Sequence, residues 1–217
     1  MGWKNKLIPF WPHSLTEAQK MIVKLPKPEI DSQVSLEQSL ARRRSIRNFI
    51  NGPLSLSEVS QLLWAAQGIT SPEGYRTAPS AGALYPLEIY IVVGTIENLD
   101  AGIYHYSPEK HELALTVEKD RRQELTHAAL DQDAIKNGAI SLVITAIYER
   151  TTLKYGQRGI QYVHMDAGHA AQNICLQSSA LNLGTVPIGA FKDREVSAVL
   201  QLRHNEKVLY ILPVGKY

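Results

Sequence analysis

Two runs of this chain are apolar at nearly every consecutive position, and they limit its fold more than any other feature. Ile89-Tyr90-Ile91-Val92-Val93 and Ala139-Ile140-Ser141-Leu142-Val143-Ile144-Thr145-Ala146-Ile147 are rich in β-branched residues. A strand with one face in water alternates apolar and polar side chains; these two do not, so both of their faces must be covered. The remaining elements supply the cover. Ser35-Leu36-Glu37-Gln38 reads as a capping box opening a helix whose apolar face is Leu36 and Leu40. A second helix begins at Leu54-Ser55-Leu56-Ser57-Glu58, runs through Leu62, Leu63, Trp64 and Ala66, and stops at Gly68. Residues 69 to 83 are rich in Gly, Pro, Ser and Ala and form a loop. Ile103 to Tyr106 and Glu112 to Val117 read as a hairpin around Ser107-Pro108-Glu109-Lys110. Helices follow near 120–130 and 131–137. The longest helix runs from about Ile160 to Leu181, with Ala167, Gly168, Ala170 and Ala171 allowing another backbone to approach. Asp193 caps a short helix to Leu200, and Val208 to Val214 is the last strand. Strands interrupted by helices without regular βαβ alternation indicate an α+β layered fold.

At 217 residues the chain suits one domain, read here as 35–217, preceded by an arm of residues 1–34. Pro9, Pro12, Pro26 and Pro28 bracket an amphipathic run, Leu15 to Val23, expected to form about two helical turns. Trp3, Phe10 and Trp11 are expected to pack on the body or on a partner subunit. A net charge of +2 argues against nucleic acid as the principal partner. No apolar run reaches membrane-spanning length, and the start lacks the apolar region of a signal peptide, so a cytoplasmic location is expected. Cys175 is the single cysteine, which excludes an intramolecular disulfide and a cysteine-based zinc site; it reads as a small buried hydrophobe.

Chemistry begins at Arg42-Arg43-Arg44-Ser45-Ile46-Arg47-Asn48-Phe49, directly after the first helix. Guanidiniums present planar, forked donors that suit phosphate oxygens, and a serine hydroxyl adds one short hydrogen bond. A cationic helix C-terminus and a nucleic-acid patch account for the same residues. His164, Asp166 and His169 raise a metal site, but their helical spacing does not align all three, and no other ligand cluster accompanies them. No metal is expected, and a buried Asp166–His169 hydrogen bond is the simpler reading.

The arginine–serine motif resembles the opening of the flavin site in the nitroreductase-like flavoprotein superfamily, and further segments follow in that superfamily's order. They are Pro79-Ser80-Ala81-Gly82-Ala83-Leu84-Tyr85-Pro86, Gly102-Ile103-Tyr104-His105-Tyr106, Lys154-Tyr155-Gly156-Gln157-Arg158, the Asp166-Ala167-Gly168-His169 helix, Leu183 to Phe191, and Leu212-Pro213-Val214-Gly215-Lys216. The ordered set, over roughly residues 36 to 216, resembles the SagB/ThcOx-type branch, FMN-dependent dehydrogenases that oxidise azolines to azoles in modified peptides. The resemblance implies a mainly antiparallel central sheet flanked by helices, with the long helix near a dimer seam.

It also implies roles. Arg43 and Ser45 would take the phosphate and ribityl chain of FMN, Arg47 would lie nearer the pyrimidine edge, and Arg44 would be the most peripheral of the cluster. Pro79, Ser80, Ala81 and Gly82 would reach a flavin bound mainly by the other subunit. Pro187, Ile188 and Gly189 would turn backbone amides toward the reactive ring edge, and Lys216 would stand near the phosphate. Lys154 and Tyr155 match the branch's lysine–tyrosine pair. Lys154 would remove a Cα proton while Tyr155 orients or relays it. A base must be partly neutral, which burial or a nearby cation such as Arg158 favours. The implied assembly is a homodimer with two interfacial sites and a small-molecule or peptide substrate. The alternatives are an NAD(P)H-dependent reductase of nitro, quinone or enone compounds, and a flavin-binding scaffold subunit without turnover.

Overall fold

The computed structural model describes residues 21–217. Fourteen regular elements build three layers. In chain order they are β1 (Ile22–Lys24), α1 (Leu36–Arg42), α2 (Leu56–Gln67), β2 (Leu87–Val93), β3 (Gly102–Ser107), β4 (Glu112–Glu118), α3 (Arg122–Ala128), α4 (Asp133–Asn137), β5 (Ile140–Ile147), α5 (Glu149–Tyr155), α6 (Arg158–Ala180), β6 (Gly184–Thr185), α7 (Asp193–Leu200) and β7 (Glu206–Gly215). The sheet order is β1-β4-β3-β2-β5-β7-β6, and every neighbouring pair is antiparallel.

The two apolar runs are β2 and β5, paired from Leu87 with Ala146 to Val93 with Ile140, at the middle of the sheet. Strand periodicity sends Ile89, Ile91, Leu142 and Ile144 to one face, where they pack on Val59, Leu62 and Leu63 of α2 and on Ala170 and Ile174 of α6. Val92 and Val143 point the other way, onto Leu125 of α3, Ile135 of α4 and Val196 of α7. Burying such side chains contributes roughly 1.5–3 kcal/mol each, which is why both runs sit centrally. Among the described residues no helix is long and apolar enough to cross a membrane.

Four expectations change. The part of the Leu15–Val23 run beyond residue 20 is not helical: Ile22–Lys24 is an edge strand on β4, where β-branched Ile22 and Val23 satisfy an otherwise unpaired edge. Its earlier residues, with Trp3, Phe10 and Trp11, lie outside the described residues. Asp193 is the first helical residue of α7 rather than its cap, which is Lys192. α5, unanticipated, carries Lys154 and Tyr155 in its last turn. In α1, whose capping box from Ser35 to Gln38 is formed, Ser39 is buried while Leu36 and Leu40 stay 61% and 51% exposed. Its apolar face points away from this chain's own core.

Candidate active site

The segment after α1 docks on the end of the sheet through two apolar pegs. Ile46 donates its N–H to the Thr185 carbonyl at 2.9 Å, and Ile50 does the same to Lys216 at 2.9 Å. Phe49 lies against Gly215, where a Cβ would meet its ring at 3.0 Å, and against Gly184 together with Ile46. The bare backbone at β6 and β7 is what lets the pegs in. Ser45 and Arg47, between and beside them, remain exposed, and Lys216 at the end of β7 completes the group. Arg43 caps α1 and is close enough to Cys175 on α6 to pull its thiol down, although burial dominates and pushes Cys175 up to about 11. Arg44 turns away, donating to the carbonyls of Ala41 at 3.1 Å and Arg43 at 2.7 Å, so it serves the helix C-terminus.

Among the described residues no carboxylate pairs with Arg43, Arg47 or Lys216. Cations gathered on one docked segment without counter-charge repel one another unless an anion joins them. The donor set therefore fits a phosphate monoester such as that of FMN.

Past α6 the chain returns as Pro187-Ile188-Gly189. Pro187 has no N–H, and that of Ile188 is spent on the Ile211 carbonyl at 2.8 Å. Gly189 alone of the three keeps an amide without a bond among the described residues, beside a cavity of about 340 Å³ lined by His164, Ala167, Phe191, Asp193 and Tyr210. His164 Nε2 is 2.6 Å from the Tyr148 hydroxyl.

A second group of residues is built differently. The Ser80 hydroxyl donates to Asp166 Oδ2 at 2.6 Å and accepts from the Tyr85 N–H at 3.0 Å. Between them the backbone is left-handed at Gly82 (φ 64°), Ala83 (φ 53°) and Tyr85 (φ 45°). Such geometry costs about 1 kcal/mol or more at each non-glycine position and persists only under restraint. The restraint is visible. Arg150, one turn before Lys154 on α5, donates to the Tyr85 carbonyl at 3.1 Å and pairs with Glu88 at 2.5 Å. Glu88 also accepts from His105 at 2.6 Å, and Arg76 lies 4.5 Å over the Tyr85 ring. Burial pushes the Glu88 carboxyl up, but the bond from His105 and the Arg150 charge outweigh it and hold it at about 2.

This network sets the lysine–tyrosine pair over the loop. A Cβ at Gly82 would lie 2.6 Å from the Tyr155 hydroxyl and 2.9 Å from Lys154 Nζ, so glycine is needed there for space as well as for φ. Lys154 lies 5.3 Å from the Tyr155 ring centroid, and Tyr155 packs edge-on against Tyr162 at 5.1 Å. Lys154 is exposed among the described residues, and Arg158 sits over the Tyr162 ring instead.

Asp166 is spent on Ser80 and the Ala81 backbone, and burial raises its pKa in spite of them. The expected Asp166–His169 hydrogen bond is absent among the described residues: His169 is exposed and acts on Asp166 only as a nearby charge. Asp166 points at the loop because the loop hydroxyl lies on its side of α6. No three His, Cys, Asp or Glu among the described residues are grouped to hold a metal. Arg150, Glu88 and His105 were not legible as site residues; the one sequence signal is that Arg150 precedes Lys154 by one helical turn.

The sequence profile of the Nitroreductase family matches residues 40–216. The nitroreductase-like protein MJ1384 of Methanocaldococcus jannaschii is 45% identical over 87% of this chain and 94% of its own length. The microcin B17-processing protein McbC of Escherichia coli is 30% identical over 69% of this chain, which spans only 57% of McbC. Among solved structures, a nitroreductase-like protein of Ralstonia eutropha superposes with a TM-score of 0.81 at 27% identity, covering 95% of this chain and 94% of that one. A chain of the E. coli microcin synthetase McbBCD complex with truncated pro-MccB17 superposes with a TM-score of 0.73 at 26% identity, covering 93% and 79%. This chain belongs to the Nitroreductase family.

Proposed function

We propose that this chain is an FMN-dependent dehydrogenase of the SagB/ThcOx type, oxidising azoline rings in a modified peptide to azoles, as a homodimer with two interfacial sites. The observation that carries this reading is the seat of Lys154 and Tyr155 directly over Gly82, on a loop whose strain is held by Ser80, Asp166 and Arg150. A lysine and a phenol held together over a restrained turn suit the proton removal that azoline oxidation requires. Similarity to McbC and to the McbBCD complex supports the same branch.

Arg43, Ser45, Arg47 and Lys216 would hold FMN by its phosphate, ribityl chain and pyrimidine edge, and the Gly189 amide would face the reactive edge of the ring. Bound there, FMN supplies a hydride acceptor. The protein's part is to orient the azoline, to receive its Cα proton on Lys154 Nζ, and to hold that proton between Nζ and the Tyr155 hydroxyl. The network under the loop keeps both groups in place without a rearrangement during the reaction.

The 45% identity to a nitroreductase-like protein favours one rival, an NAD(P)H-dependent reductase running the same cofactor toward reduction. Anaerobic mixing of the yellow protein with NADH, NADPH and an azoline-containing peptide separates the two. Bleaching by the peptide alone is expected. Rapid bleaching by either nicotinamide, with none by the peptide, would establish the reductase.

A further inference from the structure

The cavity beside Gly189 is shaped by an irregularity in the sheet. Ile144 of β5 pairs with Tyr210 while its neighbour Thr145 pairs with Val208, so Leu209 is an extra residue in β7. Such a bulge bends its strand and re-aims the side chains around it, and Val208, Leu209 and Tyr210 all line the cavity. The outer edge of β7 is open at this point. β6 covers it at Val214 and Gly215 and Ile188 covers it at Ile211, with no strand beside 208–210 among the described residues. α6 packs on one face of the sheet and α7 on the other, so His164 reaches the open edge from one side and Asp193 from the other. The two offer opposite things. Burial, with the Asp193 charge adding to it, pushes the Tyr148 hydroxyl above its ordinary range, so it stays protonated and donates to His164 Nε2 at 2.6 Å. The neutral ring therefore carries its proton on Nδ1, which has no bond among the described residues. His164 is a donor, and the exposed Asp193 carboxylate is an acceptor.

From this arrangement we infer that the cleft is the subsite for the amide that follows the azoline ring in the peptide, with His164 donating to its carbonyl oxygen and Asp193 accepting its N–H. The inference rests on the dehydrogenase reading above and names the part of the substrate that this side of the site reads. A trans secondary amide presents its C=O and its N–H in opposite directions, which a donor and an acceptor on either side of one edge match. A quinone, nitro or enone acceptor brings oxygen lone pairs alone and has nothing to give the Asp193 carboxylate. At about 340 Å³ the cavity lies at the small end of ligand pockets, which suits one peptide unit. Gly189 in the same lining ties it to the reactive ring edge. The chemistry also asks for a donor at this place, because the carbonyl is bonded to the Cα that is deprotonated. As the proton passes to Lys154 Nζ, the C–H electron pair spreads onto the carbonyl oxygen. It returns to form the ring double bond as a hydride leaves Cβ for the cofactor. The bond from His164 is therefore one that strengthens as charge develops.

Two ligands that differ in one group decide the point. One is a glycyl-thiazole carboxylic acid capped as its N-methylamide, and the other is the same compound as its methyl ester. Both keep the ring and the carbonyl, and the first alone has the N–H. Their binding to the full-length holoenzyme is measured by titration calorimetry. The wild type should bind the amide about tenfold more tightly than the ester. Asp193→Ala should remove most of that preference, and Asp193→Asn, whose side-chain carbonyl still accepts, should keep part of it. His164→Ala should weaken both ligands, because both present the carbonyl, and Tyr148→Phe, which no longer fixes the ring proton on Nδ1, should weaken both by less. His164 and Asp193 are exposed, so these chains should fold, which their thermal midpoints check. Equal binding of amide and ester by the wild type, binding of neither, a preference unchanged in Asp193→Ala and Asp193→Asn, or full affinity in His164→Ala would overturn the inference. Bleaching by a nicotinamide and not by an azoline peptide would count against the dehydrogenase reading, and the calorimetry would still report the cleft.

Discussion

The arginine segment and the loop under Lys154 are both parts of the candidate site, yet they are built on opposite terms. Ser45, Arg47 and Lys216 sit on a backbone anchored by apolar pegs, Ile46 and Phe49, and their polar heads have no side-chain partner among the described residues. Around Gly82 nearly every polar group is engaged: Ser80 with Asp166 and Tyr85, Arg150 with Tyr85 and Glu88, Glu88 with His105. Unspent cations are what an anion-binding surface needs, because charge already paired inside the protein has little left for a ligand. A group that must move a proton needs fixed geometry, since small displacements are costly to rate. The first region is therefore built for affinity and the second for position.

If the division is sound, damage to the second region should slow the reaction without emptying the site. Lys154→Ala is expected to lower azoline oxidation by about 10²–10⁴-fold while flavin content per chain stays at the wild-type level. Turnover at the wild-type rate would remove Lys154 from the chemistry. Next in size is Glu88→Gln, which takes a mostly buried carboxylate away from the exposed Arg150 and from His105 and should destabilise the fold by about 1–2 kcal/mol at pH 7. The sign with pH follows from a carboxyl held below its ordinary value. The stabilisation is complete above about pH 4.5 and is lost as pH falls toward 2, so wild type and variant should converge in acid denaturant titrations. A gap that stays constant down to pH 3 would contradict the pairing.

Arg43→Ala addresses the first region. It should weaken flavin binding by more than about 1.5 kcal/mol, roughly tenfold, with no change in thermal midpoint of the flavin-free protein. Loss of stability without loss of affinity would mean that Arg43 is a helix-capping residue like Arg44. The finest contrast uses two glycines. Gly82→Ala adds strain at positive φ and a contact with Tyr155, so it should cost about 1–2 kcal/mol and slow turnover with flavin retained. Gly215→Ala first meets the Phe49 side chain and should act on flavin affinity before rate. A reversal of those two outcomes would break the division.

This contrast also explains what could be read from the sequence. The arginine segment is local: Arg43, Ser45 and Arg47 fall within five residues, so their common purpose shows in a motif. The central strands were legible because apolar residues on both faces leave few alternatives. The restrained loop was legible only as Pro79-Ser80-Ala81-Gly82 and Lys154-Tyr155 separately. Its partners are 86 residues apart for Ser80 and Asp166 and 62 apart for Glu88 and Arg150, separations that no periodicity links. Asp166 was noticed but paired with its helical neighbour His169, because helix spacing shows neighbours along the helix and not a loop arriving from elsewhere. β1 was misread because a three-residue edge strand owes its form to the β4 edge it completes.

The claim underlying the whole account is that the unpaired cations hold a flavin mononucleotide. The most direct test is to release the bound cofactor from the purified full-length protein with acid or heat and identify it by chromatography, beside the Arg43→Ala protein prepared in the same way. The account predicts FMN, released without covalent attachment, at close to one per chain in the wild type and markedly less in the variant. Recovery of FAD, of no flavin, or of equal FMN from both proteins would contradict it.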